Sequence, residues 1–375
     1  MKKKQNEDAP TASPQIEDSG VTLGRILLKA TLLALVFAIG MLFITAIIVC
    51  LFAYNQYAQF TEAIHSSPSE FYTQVRNSYY TAPVADSGKK NILILGLDSL
   101  ETRPGNPALS DTMMLVSLDV HTGKVHTLSL PRDIWSDEFQ TKINALYFYG
   151  LERYPERPEQ FSEEVISKIT GIPIHHTILI SMDSLEEIID SVGGIEIDVP
   201  NSFTDSQFPR TDIDVTKVSD PSILYQTISF EKGLQSMSGE QALQFIRSRN
   251  STHELESTDL ARSKRQQLVI TALAEKVLSK EILLNPDKVA KLYNVYGENF
   301  GTQFPHSEAM STVFMILKQN AELELINTQL PVYPDDPNGV IEHPPISEYN
   351  NQWVYKITDN EKFAATLQNL LGIEK

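Results

Sequence analysis

The sequence predicts an α/β protein, an α-β-α layered domain around a central mixed sheet, preceded by one transmembrane helix. Three observations lead there. Short, partly β-branched apolar runs alternate with segments of helical period after residue 91. An uncharged run of 24 residues, Ala30 to Ala53, stands ahead of them and is long enough as a helix to cross a hydrocarbon layer about 30 Å thick. The chain has 375 residues, enough for a sizeable core.

Residues 1–29 read as a cytoplasmic tail, polar and rich in Lys, Pro, Ser and Asp up to residue 25. The cations before the apolar run are Lys2, Lys3, Lys4, Arg25 and Lys29, and the next one after it is Arg76. That bias places the N-terminus in the cytoplasm and everything after the run outside. The run, residues 30–53, is too long for a secretory signal and ends in Cys-Leu-Phe-Ala-Tyr without small residues at a cleavage site, so it reads as a single-pass anchor in the cell membrane. Bulky Val49 precedes Cys50, which argues against lipidation of that cysteine.

Residues 54–90, polar and aromatic with breakers at Pro68, Pro83 and Gly88, are expected to form a juxtamembrane stalk. The extracytoplasmic domain is expected over 91–375. Its strands are predicted at Asn91–Leu97, Met113–Val120, Lys124–Leu130, His176–Ile180 and Ile195–Val199, with helices at Ser162–Thr170 and Ser184–Val192. Val192-Gly193-Gly194 reads as a tight turn between helix and strand, and residues 201–230 as a polar surface insertion. A long helix starts near Ser257-Thr258-Asp259 and runs to about Lys280. The stretch after Glu281 continues the domain, with Trp353 as a core anchor; Tyr147 and Tyr149 are also assigned to packing.

The chain's only Cys lies in the apolar run, so the external domain has no disulfide. Removing the five cations and four anions of residues 1–29 from the 31 and 48 of the whole chain leaves 26 against 44, a net charge of −18. Such a domain is a poor nucleic-acid binder, and a cluster of arginines in it is conspicuous.

Charged residues recur where strands end or helices begin. Asp98 ends NILILGLD, Ser110-Asp111-Thr112 opens the next strand, and Pro131-Arg132-Asp133 closes the one after it. Arg247 and Arg249 alternate on an apparent strand. On the long helix Asp259, Arg262, Arg265 and Gln266 share the face that continues as Val269, Leu273 and Val277, so two arginines lie on a core-facing stripe and need an anionic partner. Guanidinium forks bind phosphate oxygens, helix N-termini favour anions, and carboxylates share Mg²⁺ with phosphates, so the set suits a pyrophosphate.

The ordered segments ILGLD, SDTMMLVSLD, LSLPRD, TKINALYFYG, VGGIEIDVP, GEQALQFIRSR and DLARSKRQQ resemble the LytR-CpsA-Psr family of cell-wall proteins, strongly from Asn91 to Lys280 and more loosely beyond. The resemblance implies a phosphotransferase that moves an anionic glycopolymer from a polyprenyl-pyrophosphate carrier to peptidoglycan in cell-wall assembly. By position it implies Asp98 and Asp111 as carboxylates for Mg²⁺ (or Mn²⁺), and Arg132, Arg247, Arg249, Arg262, Arg265 and Gln266 as the pyrophosphate-binding set. Asp133 and Asp259 are both open as general base. The family's Arg ahead of Ser-Asp-Thr is Leu109 in this chain, with Arg103 the nearest substitute for that phosphate contact. The loop from Arg249 to Asp259 is longer than the family's and carries Glu254 and Glu256, and Ala261 stands where the family has Gly.

The bland readings are a loop or cap role for each single aspartate, a surface ion pair for Arg132 and a solvated edge for Arg247 and Arg249. Lys142 and Asn144 either contact ligand or pin a turn. There is no HExxH, GxSxG or GxxxxGK[ST] pattern, and one Cys leaves no CxxC zinc spacing. Two functions compete with transfer: hydrolysis of the carrier pyrophosphate, and non-catalytic binding of lipid-linked intermediates.

Overall fold

The computed structural model describes residues 19–97, 109–210 and 221–373. The chain divides into two compact units, Met1–Gln59 and Phe60–Lys375. Most of helix α1 (Ser19–Ala63) belongs to the first, and its stretch Thr31–Ala63 is long and apolar enough to cross a membrane. Leu33, Phe37 and Leu42 are exposed along it, as expected of side chains that face lipid.

The second unit begins before the expected domain start. Helix α2 (Pro68–Tyr80) opens with a capping box, the Ser67 hydroxyl accepting from the Glu70 N–H while the Glu70 carboxylate accepts from the Ser67 N–H. Strands β1 (Lys89–Leu97), β2 (Ser110–Asp119) and β3 (Lys124–Ser129) follow, then the short pair β4 (Trp135–Ser136) and β5 (Thr141–Lys142). Helices α3 (Leu146–Arg153) and α4 (Glu159–Thr170) precede β6 (His176–Ser181) and α5 (Met182–Ser191). Next come β7 (Ile195–Val199), β8 (Phe203–Pro209), β9 (Tyr225–Phe230), β10 (Gly233–Met237) and α6 (Gly239–Arg247). Helices α7 (Asp259–Val277), α8 (Lys280–Leu283), α9 (Pro286–Phe300) and α10 (His306–Lys318) lead to β11 (Glu324–Thr328). Strands β12 (Val332–Tyr333), β13 (Ile341–Glu342) and β14 (Lys356–Ile357) and helix α11 (Asn360–Leu370) close the unit.

The central sheet is mixed, in the order β11-β3-β2-β1-β6, with β1–β2 and β2–β3 antiparallel and β1–β6 and β3–β11 parallel. Period-two alternation sends Leu93, Leu95, Met113, Leu115 and Leu128 to one face, where they pack with Leu146, Phe161, Ile166 and Phe363 from α3, α4 and α11. A second core joins Leu185 and Ile189 of α5, Phe245 and Ile246 of α6 and Val269 of α7 to the antiparallel pair β7–β10 and the hairpin β8–β9. The turn from α5 into β7 uses Gly193 and Gly194 at φ of 84° and 88°, and a Cβ on Gly194 would stand 2.9 Å from the Met237 carbonyl oxygen.

Four expectations are corrected. Residues 54–90 are not a free stalk: α2 packs on α10, and Glu308 of α10 accepts from Val84 N–H and from the fully buried Lys90 ammonium. On α2 itself, Phe71 packs edge to face on Tyr293 of α9 and Tyr79 on Phe314 of α10, and the Gln74 amide oxygen accepts from the Tyr293 hydroxyl. Residues 201–230 are not only a surface insertion, since Phe203, Phe208, Ile228 and Phe230 are core residues of the β8–β9 hairpin. Trp353 is 51% exposed while Val354 is fully buried, because neighbours in an extended segment face opposite ways. Tyr149 is likewise exposed on α3, although Tyr147 is buried as expected.

Candidate functional site

The charged residues converge where β1, β3, β6 and β11 end and β2 begins, the sheet end at which α/β folds place their ligands. Asp111, second residue of β2, sits between two arginines: its Oδ1 accepts from Arg132 Nη1 at 2.5 Å and its Oδ2 from Arg249 Nη2 at 3.0 Å. Arg132 and Asp133 lie on the turn after β3, where Ile134 N–H donates to Pro131 O. Asp133 Oδ1 accepts from Lys142 Nζ at 2.6 Å and its Oδ2 lies 3.5 Å from Arg132 Nε. Asn144 N–H donates to Arg132 O and its carbonyl accepts from Ser110 Oγ, so Asn144 pins both segments through its backbone, and Lys142 pairs with a site carboxylate.

Arg247 and Arg249 do not alternate on a strand. Arg247 is the last residue of α6 and Arg249 follows the C-cap Ser248, because the capping box of Ser238 with Gln241 starts a helix that the apolar pattern alone leaves ambiguous. What aims them was not singled out in the sequence. Asp205 of β8 is 1% exposed, and its Oδ2 accepts from Ser248 Oγ at 2.8 Å and from the N–H groups of Arg249 and Asn250 at 3.1 Å each. Its Oδ1 accepts from Gln207 N–H. The only hint in the sequence is its spacing of two from Phe203, which puts both on one strand face.

The long helix behaves in two ways. Thr258 caps it, accepting from Ala261 N–H. Arg262 and Gln266 line the cleft, whereas Arg265 turns into the protein at 1% exposure. Its Nε donates to Phe245 O, its Nη2 to Ser248 O, and its Nη1 to both the carbonyl and the carboxylate of Glu256, all within 2.7–2.9 Å. Burial pulls the guanidinium below its usual pKa, and Glu256 opposes that shift. The expected role of Arg265 in gripping pyrophosphate is therefore corrected: consecutive helical residues point about 100° apart, so Gln266 reaches the cleft and Arg265 braces the end of α6. The acidic loop residue Glu256 is its counter-ion. Asp98 and Arg103 lie outside the described residues, as does the side chain of Asp259.

Two connected cavities result, sharing Asp111, Arg262 and Gln266. The larger, about 310 Å³, adds Arg132, Asp133, Asp335, Asp336 and Tyr355; the smaller, about 150 Å³, adds Arg247 and Arg249. An apolar slot of about 40 Å³ between the sheet and helices α5–α7 is lined by Ile94, Met114, Ile180, Leu185, Ile246 and Val269, and it meets the smaller cavity at Thr112, Met182 and Gln266. Four guanidinium groups gathered around Asp111, beside an apolar slot, suit an anionic headgroup with an apolar tail.

A family model, the LytR_cpsA_psr family, matches residues 47–369. The chain belongs to this family. Among family relatives, the polyisoprenyl-teichoic acid–peptidoglycan teichoic acid transferase TagV of Bacillus subtilis is 29% identical over 216 residues, 56% of this chain and 49% of its own. TagU of Oceanobacillus iheyensis, a transferase of the same name, is 27% identical over 252 residues, 66% of this chain and 69% of its own. The match thus spans about half the length of TagV. The crystal structure of B. subtilis TagV has the same fold, with a TM-score of 0.51 and 23% identity over 77% of this chain and 100% of that one. A transcriptional regulator from Enterococcus faecalis also shares it, at a TM-score of 0.52 and 20% identity over 78% and 92% of the two chains. The family fold is the mixed-sheet architecture described above.

Proposed function

We propose that this protein is a phosphotransferase that moves an anionic glycopolymer from a polyprenyl-pyrophosphate carrier to peptidoglycan at the outer face of the cell membrane. The observation that carries the reading is the cleft in which Arg132, Arg249 and Asp111 form one ion-paired cluster, with Arg247 and Arg262 on the same walls and an apolar slot at its edge. The names of TagV and TagU support it. The apolar helix supplies the anchor, and the cationic tail before it supports an inside N-terminus.

Arg132, Arg247, Arg249 and Arg262 hold the pyrophosphate oxygens and spread the charge that builds up in transfer. The acceptor hydroxyl attacks the phosphorus bearing the glycan; the new P–O bond forms as the bond to the bridging oxygen breaks, and polyprenyl phosphate leaves. Asp133 lines the larger cavity, which supports it over Asp259 as the base that takes the hydroxyl proton. The apolar slot seats the part of the prenyl chain next to the pyrophosphate. Asp111 fits a divalent cation in kind, because Mg²⁺ takes one or two carboxylates alongside substrate phosphates, and Asp98 is the second donor that the family resemblance implies. Bound Mg²⁺ neutralises phosphate charge.

The test is transfer of a radiolabelled polyprenyl-pyrophosphate-linked oligosaccharide to peptidoglycan fragments by the full chain with Mg²⁺, beside Arg132→Ala. Mg²⁺-dependent labelling that the substitution abolishes is expected. Release of free sugar phosphate without labelling would show a hydrolase, and binding without turnover a non-catalytic carrier-binding protein.

A further inference from the structure

We propose that Trp353 is a stacking platform for the acceptor glycan, placed just outside the larger cavity; this rests on the transferase reading. The indole is 51% exposed yet held in a defined plane. One of its faces is covered by His343, with ring centroids 3.4 Å apart and planes at 24°, and His343 is fixed because its Nδ1 donates to Val354 O at 2.9 Å. The segment is anchored beneath by Val354, fully buried against Trp135 and Tyr349.

Its position ties it to the chemistry. Tyr355 pairs with the segment that carries Asp133: Tyr355 N–H donates to Asp133 O and Trp135 N–H to Tyr355 O, both at 2.8 Å. Trp353 and Tyr355, two residues apart in an extended segment, face the same side, and their rings are 6.4 Å apart edge to face. Tyr355 lines the larger cavity, so the aromatic surface runs continuously from Asp133 outward to Trp353.

Charge identifies the occupant. In the smaller cavity Arg247, Arg249 and Arg262 outnumber Asp111 and Asp205, while in the larger one Asp111, Asp133, Asp335 and Asp336 outnumber Arg132 and Arg262. An anionic polymer is drawn to the arginine end and repelled from the carboxylate end. An anionic ligand is therefore disfavoured on the Trp353 side, and an indole face with exposed amides beside it at Asn350, Asn351 and Gln352 suits the C–H face and polar rim of an uncharged pyranose chain. A neutral β-linked amino-sugar backbone, that of peptidoglycan, has this chemistry.

The test is calorimetric titration of the full chain in detergent micelles with a hexamer of β-1,4-linked N-acetylglucosamine, and separately with inorganic pyrophosphate. Binding of the hexamer is expected to weaken about fivefold to thirtyfold in Trp353→Ala and to persist largely in Trp353→Tyr, with pyrophosphate binding unchanged in both. In the wild type the hexamer should also shield a tryptophan from acrylamide quenching. A wild type that does not bind the hexamer, an alanine variant that binds it equally, or unchanged quenching overturns the platform. Failure of the wild type to bind pyrophosphate, with hexamer binding intact, sinks the transferase reading instead and leaves Trp353 a glycan site.

Discussion

Replacing Arg265 by Met separates a ligand-gripping arginine from a structural one. The side chain is 1% exposed and its four hydrogen bonds go to the protein, to Phe245 O, Ser248 O and both oxygens offered by Glu256. Glu256 is itself 5% exposed and its other carboxylate oxygen accepts from the Asn201 amide, so the substitution leaves a buried carboxylate without its counter-ion, a change that costs about 3–5 kcal/mol. For a unit of this size the melting temperature should fall by on the order of 10 °C in differential scanning fluorimetry. Adding Glu256→Leu removes the stranded charge and should recover part of the loss, leaving about 1–3 kcal/mol for carbonyls without donors. Pyrophosphate binding should weaken only through the loosened Arg247–Arg249 loop, and Arg265→Lys should not restore full stability because one ammonium cannot span all four acceptors. A single variant that melts within a degree of the wild type yet binds no pyrophosphate would refute this reasoning.

Asp205→Ala removes an acceptor for three donors of the Ser248–Asn250 turn, and about 3 kcal/mol of stability should go with it, together with Arg249's pairing to Asp111; retention of both wild-type stability and wild-type pyrophosphate affinity would show that the turn holds without Asp205. Acid should destabilise the fold in two steps. Burial lowers the pKa values of His126, His175 and His176, with the charge of Lys90 adding to the effect at His176, so the unfolded chain takes up protons first as pH falls below about 6.5 and stability is lost from there downward. Asp119 adds a second step: burial raises its pKa, but the Lys89 ammonium and the Thr122 and His121 N–H groups outweigh that and hold it at about 2, so its stabilisation is present above the ordinary carboxylate range and fades below about pH 4. A melting temperature flat between about pH 7.5 and 5.5 would contradict the histidine step.

What could be read from the chain follows from the reach of each signal. The strands at Asn91–Leu97 and Lys124–Leu130 were legible because a buried strand is a local apolar run. Arg132 and Asp111 were legible as a pair of strand-end charges, and the structure puts them in contact. Arg265 reads as ligand-facing in the sequence because a core-facing arginine shows only that an anion is needed, and both a ligand phosphate and Glu256 meet that need. Asp205 leaves only its spacing from Phe203 in the sequence, since its value lies in donors 43–45 residues away.

By itself, then, the sequence determined an apolar helix ahead of an α/β domain, the order of its motifs and a cluster of arginines suited to phosphate. These rest on composition, local period and residue type, all of which survive in a linear string. Only tertiary structure decided which arginines face the cleft, which aspartate aims them, that α2 belongs to the folded unit and that Trp353 faces outward beside the cavity. Each of those depends on contacts between segments far apart in the chain, where one partner's role is set by groups that the local sequence does not contain.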